Sequence, residues 1–136
     1  MSDPLQTVRD IYAAFGRGDI PAILDCLADD VRWEEWADNS AQRAGVPWLQ
    51  ARQGKASALE FFQALSAAHF HDFRVLALMA GDHQVAAEVA VEFEVLASGR
   101  RCCDEEIHLW TFDDNGQVIR LRHYADTAKH IAAAQH

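Results

Sequence analysis

The segment Asp29-Asp30-Val31-Arg32-Trp33-Glu34-Glu35-Trp36 sets two carboxylates beside two indoles. In an extended chain alternate side chains share a face, so Val31, Trp33 and Glu35 point one way and Arg32, Glu34 and Trp36 the other. With the Val31/Trp33 face buried, Glu35 ends an apolar wall. A carboxylate there is costly to ionise, and its pKa rises toward the range useful for proton transfer. With the frame reversed, Glu35 is an ordinary solvated acid. Two histidines are the candidate partners. In 118–124, Ile119, Leu121 and His123 alternate against Arg120, Arg122 and Tyr124, which puts His123 inside. In 101–112, His108, Trp110 and Phe112 compete with Ile107, Leu109 and Thr111 for the inner face, and periodicity leaves that frame open.

The remaining chemistry-bearing residues give weaker patterns. His69, His71, His83, His130 and His136 read as helix-end, turn or tail residues. His69 and His71 with Asp72 form an incomplete ligand set whose adjacent residues diverge, so no metal site is expected. Cys102-Cys103 lies on a strand with no base beside it to activate a nucleophile. Glu88, Glu92 and Glu94 alternate with Val89, Val91, Phe93 and Val95, and so belong on the outer face of their strand.

The elements that must position these residues follow from pattern and punctuation. Asp3-Pro4 starts a helix carrying Leu5, Val8, Ile11 and Phe15, which ends at Gly16–Gly18. Asp19 caps a second, shorter helix with Ile20, Ile23, Leu24 and Leu27 on one face. Val31–Trp36 is a strand, and residues 37–53 form a long loop carrying Trp48 and Leu49. A third helix runs over 55–70 with Leu59, Phe62, Leu65 and His69 as its buried stripe. Four strands follow at 73–80, 84–96, 101–112 and 118–124, joined by short turns that include Asn115-Gly116. The 136 residues read as one domain, 1–136, of α+β class.

Composition narrows the partners. The formal net charge is −9, and the ten arginines and two lysines are scattered. No basic stripe points to nucleic acid, and an acidic surface disfavours anionic membranes. No apolar run approaches a membrane span, and three cysteines do not make a disulfide framework, so a cytoplasmic location is expected. Four Trp and seven Phe supply the walls of a lined cavity.

The order of elements resembles the nuclear transport factor 2-like superfamily, which includes ketosteroid isomerase, limonene epoxide hydrolase, scytalone dehydratase and the SnoaL-like polyketide cyclases. Tyr12-Ala13-Ala14-Phe15-Gly16-Arg17-Gly18-Asp19, Leu27-Ala28-Asp29-Asp30-Val31-Arg32-Trp33 and Phe112-Asp113-Asp114-Asn115-Gly116-Gln117-Val118-Ile119 carry the likeness, which covers nearly the whole chain. It implies a cone-shaped, curved, antiparallel-rich sheet wrapping a pocket closed by three helices from the N-terminal half. It also implies a homodimer, here through the outer sheet face. Set beside ketosteroid isomerase, the general base falls on Glu35 and the protonated acid of the oxyanion site on His108, which would turn His108 inward. The tyrosine donor falls on Ile11, with Tyr12 about 100° round the helix. One donor is thus replaced by imidazole and the other lost, which argues against steroid isomerisation as such. Limonene epoxide hydrolase needs polar residues where Val91 and Phe93 stand. The last-strand acid of the SnoaL-like cyclases falls near His123, and imidazole can serve as acid or base near neutral pH.

The resulting expectation is a cofactor-independent isomerase, cyclase or dehydratase acting next to a carbonyl of a small cyclic apolar molecule. Glu35 is the base, His108 or His123 the hydrogen-bond donor to the enolate oxygen, and Trp33, Trp48, Phe93, Trp110, Leu121 and Ile11 the apolar walls. A non-catalytic binding protein for a small hydrophobic ligand and a protein-interaction module are the alternatives. A pocket holding an ionisable group with a shifted pKa would favour the first reading.

Overall fold

The computed structural model describes residues 3–135. Helix α1 (Pro4–Gly16) starts where Asp3 accepts a hydrogen bond from the Leu5 N–H, and it buries Thr7, Val8, Ile11 and Ala14. Asp19 caps the short α2 (Ile20–Leu24) by accepting from the Ala22 N–H. Strand β1 (Leu27–Trp33) follows. The 37–53 segment is not a featureless loop: it holds α3 (Ser40–Arg43), a single 3-10 turn (Pro47–Leu49) and β2 (Arg52–Gln53). Then come α4 (Lys55–Leu65), β3 (Ala68–Gly81), β4 (Gln84–Val95), β5 (Arg101–Phe112), β6 (Val118–Tyr124) and α5 (Thr127–Ala134).

The six strands form one curved sheet in the order β2-β1-β6-β5-β4-β3, and every pairing is antiparallel except β1 with β6. Register breaks between Phe70 and Asp72, and between Val75 and Ala77, bend β3 along its length. The sheet therefore wraps a core instead of lying flat against one. On β4 the inward side is Val85, Ala87, Val89, Val91, Phe93 and Val95, all buried. Glu92 and Glu94 sit on the outer side, where both pair with Arg101. Strand β5 turns Cys102, Asp104, Glu106, His108, Trp110 and Phe112 inward, which settles the frame that periodicity left open.

Several elements differ from expectation: α2 stops at Leu24, so Leu27, expected on its face, opens β1 instead. The third helix stops at Leu65, and 68–70 pair with β4 as strand instead (Ala68 with Val95, Phe70 with Phe93). Its stripe is rotated, because Phe61 packs on Trp33 with ring centres 5.2 Å apart. Ala58 and Phe61 are therefore buried, whereas Leu59 and His69 are exposed. Strand β1 ends at Trp33, three residues early, for a reason that belongs to the site. The C-terminal helix α5 was not expected from the pattern, and His136 lies outside the described residues.

Candidate active site

Where β1 ends, the backbone of Glu34 turns left-handed (φ 55°), which is uncommon for a residue with a side chain. Two hydrogen bonds hold it there. Its N–H donates to the Leu121 carbonyl at 2.9 Å, and its own carbonyl accepts from Gln42 Nε2 at 2.7 Å. The turn breaks strand alternation by one residue. Glu34 is buried directly after buried Trp33, and Glu35 is thrown outward. This corrects the expected placement of Glu35. Its carboxylate is half-exposed and pairs with Arg32 at 3.1 Å, so it does not end an apolar wall.

Glu34 takes that place. Its Oε1 accepts from His123 Nδ1 at 2.5 Å and from the His123 backbone N–H at 2.6 Å, while Oε2 accepts from Trp36 Nε1 at 3.0 Å. Burial works against a charge on His123, but the Glu34 carboxylate outweighs it and raises the His123 pKa above its ordinary value. With Nδ1 held by Glu34, Nε2 is the nitrogen left for a ligand; it has no hydrogen-bond partner among the described residues. The pair repeats the logic of a carboxylate that orients a catalytic imidazole.

His108 lies against His123, with ring centres 4.3 Å apart, and its role is different. Burial, followed by the neighbouring His123, lowers its pKa. Hydrogen-bond bookkeeping gives the same answer. Trp110 Nε1 can only donate, and it donates to the Tyr12 hydroxyl at 3.1 Å. Tyr12 then donates to His108 Nδ1 at 2.7 Å, and His108 Nε2 donates to Glu106 Oε1 at 2.9 Å. His108 is thus a neutral imidazole with its proton on Nε2. Burial also raises the Tyr12 pKa, so its phenol keeps its proton. Burial opposes a charge on Glu106, but hydrogen bonds from His108 and His130 hold its pKa well below the carboxylate range.

His130, read from the sequence as a tail residue, is buried on α5 and closes this network from behind. Its Nε2 lies 2.9 Å from both Asp104 Oδ2 and Glu106 Oε2. These three groups are close enough to ligate a cation. However, Trp48 Nε1 donates to His130 Nδ1 at 3.0 Å, which fixes the ring proton on Nε2. Burial opposes a charge on His130, but Cys102 and Glu106 raise its pKa; a second proton would sit on Nδ1, facing the indole N–H. A metal at Nε2 would need the ring proton there too. The cluster is a closed hydrogen-bond network, and the chemistry of its donors does not fit a metal.

Tyr12, Glu106, His108, His123 and His130 border one cavity of about 80 Å³. All six expected wall residues, Ile11, Trp33, Trp48, Phe93, Trp110 and Leu121, border it, as do His108 and His123. So does Tyr12, although helical geometry had turned it away from the Ile11 face; its ring is long enough to reach His108 from the helix edge. The 37–53 segment contributes Trp48, whose ring stands edge-on to Phe93 at 5.5 Å. Glu34, Tyr12 and His130 are the site residues that the sequence pattern missed. Only Tyr12 left a signal, as the tyrosine next to the position where the resemblance calls for one.

A family model described as a SnoaL-like domain matches residues 8–121. The chain belongs to the SnoaL-like family. No curated protein matches its sequence. Among solved structures it is similar to an NTF2-like protein from Burkholderia thailandensis E264, with TM-score 0.83, 23% identity and 100% of both chains covered. A proposed polyketide cyclase from Pseudomonas putida KT2440 gives TM-score 0.72 and 21% identity over 98% of each chain. TerC co-crystallised with polyporic acid gives 0.75 and 20%, again over 98% of each chain. At these identities the likenesses establish the cone-shaped fold that the SnoaL-like family shares. Among the described residues, no helix is long and apolar enough to cross a membrane.

Proposed function

We propose that this protein catalyses cofactor-independent proton transfer next to a carbonyl of a small apolar molecule, with His123 as the base. The observation that carries the reading is the 2.5 Å contact between Glu34 Oε1 and His123 Nδ1, which leaves Nε2 for a ligand at a cavity whose walls are mostly apolar. Neutral His123 takes the α-proton on Nε2, and Glu34 stabilises the imidazolium that forms. The electron pair moves onto the carbonyl oxygen, which becomes an enolate. Tyr12, already accepting from Trp110, re-aims its O–H from His108 to that oxygen, where charge develops. In an isomerisation the imidazolium returns its proton to a conjugated carbon as the electron pair leaves the oxygen and the carbonyl re-forms. In a cyclisation the enolate carbon bonds to a second carbonyl carbon of the same molecule, whose oxygen takes the proton from the imidazolium. Glu35 has no part in this scheme. Similarity to a proposed polyketide cyclase and to a protein co-crystallised with polyporic acid supports the substrate class in outline.

The second reading is ligand binding without turnover. It is favoured by one observation: the Tyr12 proton is already committed to His108, so enolate stabilisation costs an existing hydrogen bond. Exchange of α-deuterium from deuterated butanone, followed by NMR, decides between the two. Turnover that falls on the order of 100-fold in His123→Ala supports the base assignment. Exchange unchanged in that variant overturns it, and binding with no exchange in the wild type favours the second reading.

A further inference from the structure

The cavity at His123 is too small to hold a whole substrate. Its volume of about 80 Å³ falls short of the roughly 150 Å³ of an apolar cavity that accepts benzene. Beyond its wall lies a second, wider hollow of about 430 Å³, bordered by Tyr12, Phe15, Gly16, Phe70, Phe73 and Val75. Four of these six, Tyr12, Phe15, Phe70 and Phe73, line the inner cavity too, so the two spaces share one wall.

That shared wall is made of four aromatic rings. Phe15 and Phe73 have centres 5.1 Å apart, Phe15 meets Phe70 edge-on at 6.0 Å, and Tyr12 lies 5.9 Å from Phe73. Tyr12 spans the boundary, with its hydroxyl on the His108/Trp110 side and its ring against Phe73. On the outer side Val75 is 36% exposed, and the hollow opens between the last turn of α1 and the edge strand β3. No ionisable group other than Tyr12 borders it, so it suits hydrocarbon and offers a charged group nothing.

We infer that the outer hollow is a subsite for an apolar tail or ring of the molecule whose carbonyl head lies at His123. The substrate class is then a small carbonyl compound with an apolar extension of several carbons. The inference rests on the proposed carbonyl chemistry for the identity of the head, but the tail is read by binding alone.

Gly16 provides the test. A Cβ built there meets nothing within 4 Å and its backbone is helical, so Gly16→Trp places an indole at the rim of the hollow. Val75→Trp fills it from the opposite side, should the first variant fold poorly. Binding of butanone and 2-nonanone, which carries a further pentyl chain, is measured by titration calorimetry on wild type and both variants. In the wild type the pentyl chain tightens Kd by at least tenfold, given a ceiling of about fourfold per buried methylene. In the tryptophan variants that gain disappears while butanone binding is unchanged. A chain-length gain that survives in both variants, or is absent in the wild type, overturns the subsite. Loss of the gain without deuterium exchange keeps the subsite and rejects the catalytic reading. Exchange without any gain does the reverse.

Discussion

Glu34 and His123, 89 residues apart in sequence, meet at 2.5 Å through Oε1 and Nδ1, and the same oxygen also accepts the His123 backbone N–H. One carboxylate oxygen therefore fixes both the ring and the main chain of the proposed base. Few side-chain motions remain by which His123 could leave its place.

Glu34→Gln removes the charge but keeps the shape. The His123 pKa, raised in the wild type by that carboxylate, drops toward and below the usual 6.5 as burial takes over. NMR titration of the His123 ring protons reads this directly. Because the base must be neutral, deuterium exchange in the wild type rises with pH through the raised His123 value. In the variant that limb moves to lower pH and the plateau falls. Stability changes in the matching sense. A raised folded-state pKa stabilises fully below the unfolded value near 6.5, and the benefit fades as pH climbs through the folded value. The wild type's advantage over Glu34→Gln is therefore largest in mild acid and shrinks above neutrality.

Glu35→Gln is the matched control. The Arg32–Glu35 pair is about half-exposed on both sides, and such pairs contribute at most about 1 kcal/mol. Melting temperature, exchange rate and the His123 titration should all stay near wild type. A rate loss comparable to that of Glu34→Gln would restore Glu35 as the base.

The contrast between these neighbours shows where sequence reading stopped. Alternation located the inner face of β4 because every inward residue from Val85 to Val95 is apolar. It left β5 open because Asp104, Glu106 and His108 stand inward on the same face as Trp110 and Phe112. Polar residues on a buried face carry no hydrophobic signal. It chose Glu35 over Glu34 because nothing announced a left-handed residue: Glu34 is neither Gly nor Asn, and a bond from Gln42 eight residues on helps hold the turn. His130 was hidden likewise, since its partners Asp104, Glu106 and Trp48 all lie at least 24 positions away. The apolar walls were legible from residue type; the hydrogen bonds that arrange the chemistry were not.

Tyr12→Phe removes one oxygen from a three-residue chain. Trp110 Nε1 loses its acceptor and His108 Nδ1 its donor. Leaving two buried groups unsatisfied costs about 1–3 kcal/mol each, read as a lower midpoint in urea unfolding. On the proposed mechanism the exchange rate also falls on the order of 100-fold, the usual effect of losing one oxyanion donor. A destabilised variant with an unchanged rate would remove Tyr12 from the mechanism and leave it a structural role.

Glu106→Gln tests the network behind the cavity, and its pH dependence is opposite to that of Glu34→Gln. Glu106 is buried, and its pKa is held down by hydrogen bonds from His108 and His130 despite the burial. A lowered folded-state pKa stabilises above the unfolded value near 4.5, and that stability is lost as pH falls toward the folded one. The variant should lose about 2 kcal/mol at pH 7, the worth of a buried hydrogen bond to a charged acceptor. The gap to wild type should narrow steadily below pH 4.5. His108 adds to the acid sensitivity of both proteins, because it is neutral when folded and takes up a proton near pH 6.5 when unfolded. Glu106 also favours a proton on His108, so urea midpoints measured from pH 7 to pH 3 report the coupled pair and not Glu106 alone. A constant gap across that range would mean that Glu106 carries no charge in the folded protein.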